Sequence, residues 1–203
     1  MGKMLRDDIK ENINTFLQQS ISFDNEKQFQ FELAWFVKEH IPGVEIGFET
    51  RVEIDGNISY IDLAVCKGNE AVPIELKRKT RAQGAADEGS YDYFLDIHRL
   101  ESIKGMKCHV NGNKKEFGKG FAIMITDFGS YYNGPRNNEC YWSVFSLKHE
   151  RKIEKGQYKW ALSGNNGASV ARKRKAEIYI DNEYVFAWKY KEDNKGYLVV
   201  EIK

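Results

Sequence analysis

The stretch Tyr60-Ile61-Asp62-Leu63-Ala64-Val65-Cys66-Lys67-Gly68-Asn69-Glu70-Ala71-Val72-Pro73-Ile74-Glu75-Leu76-Lys77 decides how this chain folds. In its first half Ile61, Leu63 and Val65 alternate with Asp62 and Ala64, and Gly68-Asn69 then supplies a two-residue hairpin turn. Both halves therefore read as strands. With Lys67 and Glu70 flanking the turn, the antiparallel register carries Asp62 opposite Glu75, and Lys77 lies two residues further along the same face. Cross-strand Cβ atoms lie roughly 5 Å apart, where two like charges repel by on the order of 3 kcal/mol at an effective dielectric of about 20. A purely structural sheet rarely chooses such a pair. A divalent cation between the carboxylates turns repulsion into ligation, because Mg²⁺ takes one or two carboxylates and completes its octahedron with water and phosphate oxygens. The Lys77 ammonium then sits within reach of that ion's water.

Upstream, Val44, Ile46, Phe48, Val52 and Ile54 alternate with Glu45, Glu49, Arg51 and Glu53, giving a strand joined to the next by a tight turn at Asp55-Gly56-Asn57. Matching the apolar faces leaves two registers open, one placing Glu49 beside Asp62 and the other Arg51. Before it, a helix runs from an N-cap near Asp24 to about His40, where Pro42-Gly43 stops it, with Phe29, Leu33, Phe36 and Val37 as its buried stripe. Glu32 lies about 60° from Phe29 and about 40° from Phe36 on the wheel, at the stripe's margin, where it either reaches solvent or serves a site. Residues 3 to 18 form a further amphipathic helix on Leu5, Ile9, Ile13, Phe16 and Leu17.

Downstream, Pro73 donates no ladder hydrogen bond and belongs at a strand start, a bulge or an edge. A helix from about Asp87 to Lys104 presents Phe94, Ile97, Leu100 and Ile103 to the sheet, leaving Tyr91, Asp92, His98 and Arg99 able to reach a cleft. Cys108 to Gly120 reads as a polar, Gly-rich loop, and the apolar run Phe121 to Thr126 as a strand covered on both faces. Tyr131 to Asn138 is turn-forming, and Tyr141 to Leu147 is a further strand. Ser163 to Ser169 lacks the Gly-Lys-Ser/Thr ending of a phosphate-binding loop and reads as a surface loop. The chain ends in an antiparallel meander: Glu177 to Ile180, Tyr184 to Tyr190 and Tyr197 to Ile202, with turns at 181–183 and 193–196. Trp142, Trp160 and Trp188 suit either a core or a stacking platform, the core being the better fit to half-buried strands.

Asp62, a spacer of twelve residues, and Glu75-Leu76-Lys77 together resemble the PD-(D/E)XK nuclease superfamily. Ile61 stands where that motif's proline would be, and Glu32 matches the family's glutamate on the preceding helix. The resemblance covers about residues 24 to 127. It implies an α/β (α+β) restriction-endonuclease-like core, a central mixed β-sheet flanked by helices in the order αβββαβ. Residues from about 140 to 203 form a C-terminal antiparallel β extension within a single domain of 1–203. It also implies Glu32, Asp62, Glu75 and Lys77 as catalytic residues, and Mg²⁺ or Mn²⁺ held by Asp62, Glu75 and the Leu76 carbonyl, with Glu32 assisting. The expected activity is hydrolysis of phosphodiester bonds in nucleic acid, DNA foremost, with Arg78, Lys79 and Arg81 gripping the phosphate backbone. Two other classes remain open: a nucleic-acid-binding module that does not cut, and an interaction protein using its aromatic C-terminal region.

With 203 residues the chain suffices for one domain with a sizeable core, and no apolar run reaches membrane-spanning length. The N-terminus lacks a signal-peptide h-region, so the expected location is cytoplasmic, with no membrane partner. Cys66, Cys108 and Cys140 are odd in number and share no CxxC spacing, which argues for reduced, buried thiols. His40, His98, His109 and His149 are scattered and do not converge with a cysteine as nucleophile and base. The net charge of +1 argues against nonspecific coating of nucleic acid, so local clusters matter more: Lys77 to Arg81, and Arg172-Lys173-Arg174-Lys175, which reads first as a solvated face. Monomer and homodimer are both open.

Overall fold

The two residues between Ile54 and Asn57 both adopt left-handed backbone, Asp55 at φ 52° and Gly56 at φ 74°, the geometry of a type I′ hairpin turn. A computed structural model of the chain describes residues 4–19, 23–135, 141–160, 177–190 and 195–203. The turn joins β1 (Glu45–Ile54) to β2 (Asn57–Lys67), and Gly68-Asn69, with Gly68 at φ 59°, joins β2 to β3 (Glu70–Lys79). The β2–β3 register runs from Lys67↔Glu70 to Leu63↔Ile74, as the turn chemistry predicts. Before these strands come α1 (Leu5–Gln18) and α2 (Glu26–His40); α2 is capped by Asn25, one residue beyond the expected Asp24, whose side chain accepts from the Gln28 N–H. After them come α3 (Ala86–Ser102), β4 (Lys107–Val110), β5 (Asn113–Phe117) and β6 (Phe121–Thr126). The architecture is mixed α+β, with a mixed sheet flanked by helices.

The chain forms two compact units. The first comprises Met1–Arg78, Arg99–Ile123 and Glu201–Lys203, the second Lys79–His98 and Met124–Val200. In the first, β1, β2 and β3 are antiparallel neighbours, β5 pairs parallel with the start of β3, and β4 pairs antiparallel with β5. Its core is mainly aliphatic, with Ile9, Ile13, Leu33, Val37, Ile61, Leu63, Val65, Val72, Ile74 and Leu76 all fully buried, and Phe16, Phe29, Phe117 and Phe121 buried among the rest. Pro73 pairs with Ala64 well inside β3. It is tolerated because the outer neighbour of β3 changes there: β5 ends at Phe117, and the chain re-enters beside β3 at Gly120, where an added Cβ would lie 2.1 Å from the Pro73 carbonyl oxygen.

Two expectations fail in the first unit. Residues 108–120 are not a loop, since β4 and β5 form a hairpin around Asn111 (φ 50°) and Gly112 (φ 79°), an Asn-Gly type I′ turn. The β1 alternation also breaks. Gly47 is buried, Phe48 and Glu49 are exposed, then Thr50, Val52 and Ile54 are buried, so Phe48 is 47% exposed instead of facing the core.

The second unit holds α4 (Ser130–Asn133), β7 (Lys152–Ile153), β8 (Gly156–Lys159), β9 (Glu177–Ile180), β10 (Tyr184–Val185), β11 (Lys189–Tyr190) and most of β12 (Gly196–Glu201). The expected meander holds only in its second half: β11 pairs antiparallel with β12, but β9 pairs with β8 and β10 with β7 instead of with each other. Tyr141 to Leu147 is not a strand. Residues 143–145 form a 3₁₀ turn, because the Arg151 guanidinium donates to the carbonyls of Ser143 (3.0 Å), Val144 (2.8 Å) and Ser146 (2.6 Å) and curls the segment around itself. The core here is aromatic. Tyr91 stacks on Trp160 at 5.2 Å, and Phe145 meets Trp160 at 4.7 Å and Phe94 at 5.4 Å. Trp160 and Trp188 are buried, as their strand-like context suggested. Cys140, Ser163 to Ser169, Arg172 to Lys175 and the turn residues 193 and 194 lie outside the described residues.

Candidate functional site

Asp62 sits where β2 loses regular pairing on both sides. Toward β1, pairing runs from Glu45↔Cys66 to Phe48↔Leu63, skips one position, and resumes at Thr50↔Ile61. The skipped β1 residue is Glu49, whose backbone is left-handed at φ 46°, a conformation costing a non-glycine residue about 1–2 kcal/mol. The register thus sets Glu49 across from Asp62 and pairs Arg51 with Tyr60, resolving the two registers the sequence left open. Toward β3, strand pairing ends at Leu63↔Ile74, and a side chain makes the next link: the Leu76 N–H donates to Asp62 Oδ2 at 2.7 Å. That bond sets the half-buried Asp62 carboxylate on β3, between Glu75 and Lys77 in sequence.

Glu75 is 1% exposed. A carboxylate that deep needs a charged partner, and Arg99 of α3 supplies one, with Nη2 3.2 Å from Glu75 Oε1. The same guanidinium donates through Nη1 to Ser59 Oγ at 3.4 Å. Of the α3 residues expected to reach a cleft, Arg99 therefore reaches Glu75, whereas Tyr91 is buried and His98 bonds the Tyr179 carbonyl. Lys77 is half-buried, two residues on from Glu75 and so on the same face of β3.

α2 reaches the sheet through residues other than the one predicted. Gln30, itself buried, donates through Nε2 to the Asp62 carbonyl at 2.5 Å, and Glu26 Oε2 accepts the Arg78 N–H at 2.9 Å. Glu26 and Gln30 are one turn apart and share a helix face. Glu32 lies about 200° round the helix from Gln30, and its Oε1 accepts from Gln28 of the preceding turn at 2.8 Å. Among the described residues Glu26 is thus the α2 carboxylate brought to β3. The signal for it in the sequence was the Glu26–Gln30 pair at helical spacing, with a polar residue where the stripe is otherwise apolar.

Of the basic residues, Arg78 is half-buried at the end of the first unit's share of β3. Lys79 and Arg81 belong to the second unit, where the Arg81 N–H donates to Asp127 Oδ1 at 2.7 Å and Thr80 closes a capping box with Gln83. Burial pushes the Cys66 thiol up to about 12 and raises that of Cys108 as well, which disfavours the thiolate at both. Among the described residues no group of three or more His, Cys, Asp or Glu side chains is placed to hold a metal ion. The pair Asp62 and Glu75 nevertheless fits a hard divalent cation by donor chemistry, both being carboxylates, with water and substrate oxygens filling the remaining positions. Among the described residues no helix is long and apolar enough to cross a membrane. No protein-family model, curated protein or solved structure matches the chain.

Proposed function

We propose that this chain is a metal-dependent phosphodiesterase that hydrolyses nucleic acid, DNA foremost, on a restriction-endonuclease-like core. The observation carrying this reading is the bond from the Leu76 N–H to Asp62 Oδ2, which holds one carboxylate beside the strand that bears the second carboxylate and the lysine. Mg²⁺ or Mn²⁺ held by Asp62 and Glu75 would act as a Lewis acid on the phosphoryl oxygen. The chain's own groups do the rest. Lys77 orients the attacking water and offsets charge growing on the phosphorane. Glu26, anchored on Arg78, takes the helix-glutamate role that the sequence resemblance gave to Glu32. Arg78, with Lys79 and Arg81, binds phosphate without reading sequence.

One observation favours a second reading. Arg99 already neutralises Glu75, which suits a nucleic-acid-binding module that does not cut. The test is incubation of the purified full chain with plasmid and with single-stranded DNA and RNA, in Mg²⁺ and in Mn²⁺. Cleavage is expected, and Asp62→Asn or Lys77→Ala should lower it by about 10²-fold or more while the far-UV circular dichroism stays unchanged. Cleavage that survives either substitution overturns the assignment, and binding without cleavage in both metals selects the second reading.

A further inference from the structure

The side of α2 turned away from the sheet carries Lys27, Phe31, Trp35, Lys38 and Glu39, all exposed. Phe31 is 59% and Trp35 57% exposed, and their rings stack at 6.4 Å and 22°. A single exposed aromatic is ordinary, but two stacked at the centre of a helix face form a contiguous apolar patch rimmed by charge. We propose that this face is the contact between two copies of this chain, α2 against α2, antiparallel about a two-fold axis at the level of Leu33. A two-fold contact must be self-complementary, and this one is. Phe31 and Trp35 lie equally far from that level, so Phe31 of one copy meets Trp35 of the other. Lys27 and Glu39 are likewise equidistant, so each copy's lysine meets the other's glutamate at both ends of the patch. Among the described residues neither Lys27 nor Glu39 forms an ion pair within the chain.

The same charges disfavour a nucleic acid as the occupant. Glu32 and Glu39 flank Trp35 at three and four residues' distance, where a phosphate backbone would have to run. Each ring offers roughly 100 Å² of exposed surface, so the aromatic centre alone falls short of a standard interface and the dimer is weak, with a dissociation constant on the order of 10 μM. The inference is independent of the chemistry at Asp62.

Sedimentation of the full chain from about 1 to about 300 μM tests it across the range expected for such an interface. A concentration-dependent monomer–dimer equilibrium is expected, weakened about tenfold or more by Trp35→Ala and about threefold to tenfold by Lys27→Glu. The double variant Lys27→Glu with Glu39→Lys should restore it to within about threefold. These side chains are exposed, so unchanged melting curves will show that the variants fold. A chain monomeric throughout, a dimer indifferent to Trp35→Ala, or a double variant no better than Lys27→Glu alone overturns the proposal. Quenching of Trp35 fluorescence by an oligonucleotide in a monomeric chain would assign the face to nucleic acid instead.

Discussion

The first unit takes its order from turns and the second from anchors. In the first, three hairpins at Asp55-Gly56, Gly68-Asn69 and Asn111-Gly112 set the strand registers locally, and a mainly aliphatic core fills in behind them. In the second, β7 to β10 are strands of two to four residues that pair with partners distant in the chain, such as Tyr184 with Ile153. There the paths are fixed by side chains that seize carbonyls: Arg151 holds three, and Trp188 Nε1 donates to the Leu147 carbonyl at 2.6 Å. A turn specifies structure through residues adjacent in sequence. An anchor does so only once the chain has already folded back.

The largest effect expected from this difference is at Arg151. Its guanidinium is half-buried, burial holds it below the ordinary arginine range, and of the carbonyls it serves that of Ser143 also accepts the Ser146 N–H. Arg151→Met should destabilise the chain by about 2–3 kcal/mol in denaturant unfolding, the cost of taking the guanidinium donors away from the Val144 and Ser146 carbonyls. A loss below about 1 kcal/mol would show that the 3₁₀ turn is specified locally after all, and the contrast between the units would collapse.

A smaller effect is expected at Gly112. Its φ of 79° closes the β4–β5 turn, and alanine there meets left-handed strain, so Gly112→Ala should cost about 1–2 kcal/mol, while Asn111→Gly stays within about 0.5 kcal/mol of wild type. Thermal melts of the two variants side by side decide it.

These two positions also separate what was legible in the sequence from what was not. The Tyr60–Lys77 hairpin was readable to its register because Gly68-Asn69 and strict alternation agree. The Asn111-Gly112 hairpin carries as strong a turn signal, but its short strands, polar at Lys114, Lys115 and Glu116, read as loop. Of the C-terminal pairings only β11 with β12, joined by a short turn, was readable; those of β9 and β10 were not, since alternation says which side is buried and nothing about which strand lies alongside. At the candidate site, the register was legible as far as Leu63↔Ile74, one step short of Asp62 and Glu75, and the bond from the Leu76 N–H to Asp62 Oδ2 was not. Nor was the choice of Glu26 over Glu32 as the helix carboxylate near β3, because helix rotation depends on packing: Glu32 borders the apolar stripe, yet Gln30 makes the contact. Glu49 was legible only as one of two options, since no pattern announces a left-handed residue inside a strand.

The smallest effect concerns an anchor in the turn-ordered unit, where the comparison predicts redundancy. Lys115, only 5% exposed, donates to Glu45 Oε1 and to the Gly68 carbonyl, both at 2.8 Å, tying β5 to β1 and to the β2–β3 turn. The hydrogen bond from Lys115 is the largest influence on the Glu45 carboxyl and lowers it from its usual 4.5. A folded-state value below the unfolded one means that the folded chain binds fewer protons, so the contribution is full above about 4.5 and is lost as pH falls through the depressed value. The melting temperature of Glu45→Gln should therefore sit slightly below wild type at a constant offset from neutral pH down to about 5, and the two curves should converge below 4.5. The offset should be small beside that of Arg151→Met, because the registers Lys115 ties together are already set by Gly68-Asn69 and Asn111-Gly112. An offset as large as the Arg151 effect would make the first unit anchor-dependent too, and turn chemistry would then be an insufficient account of its order.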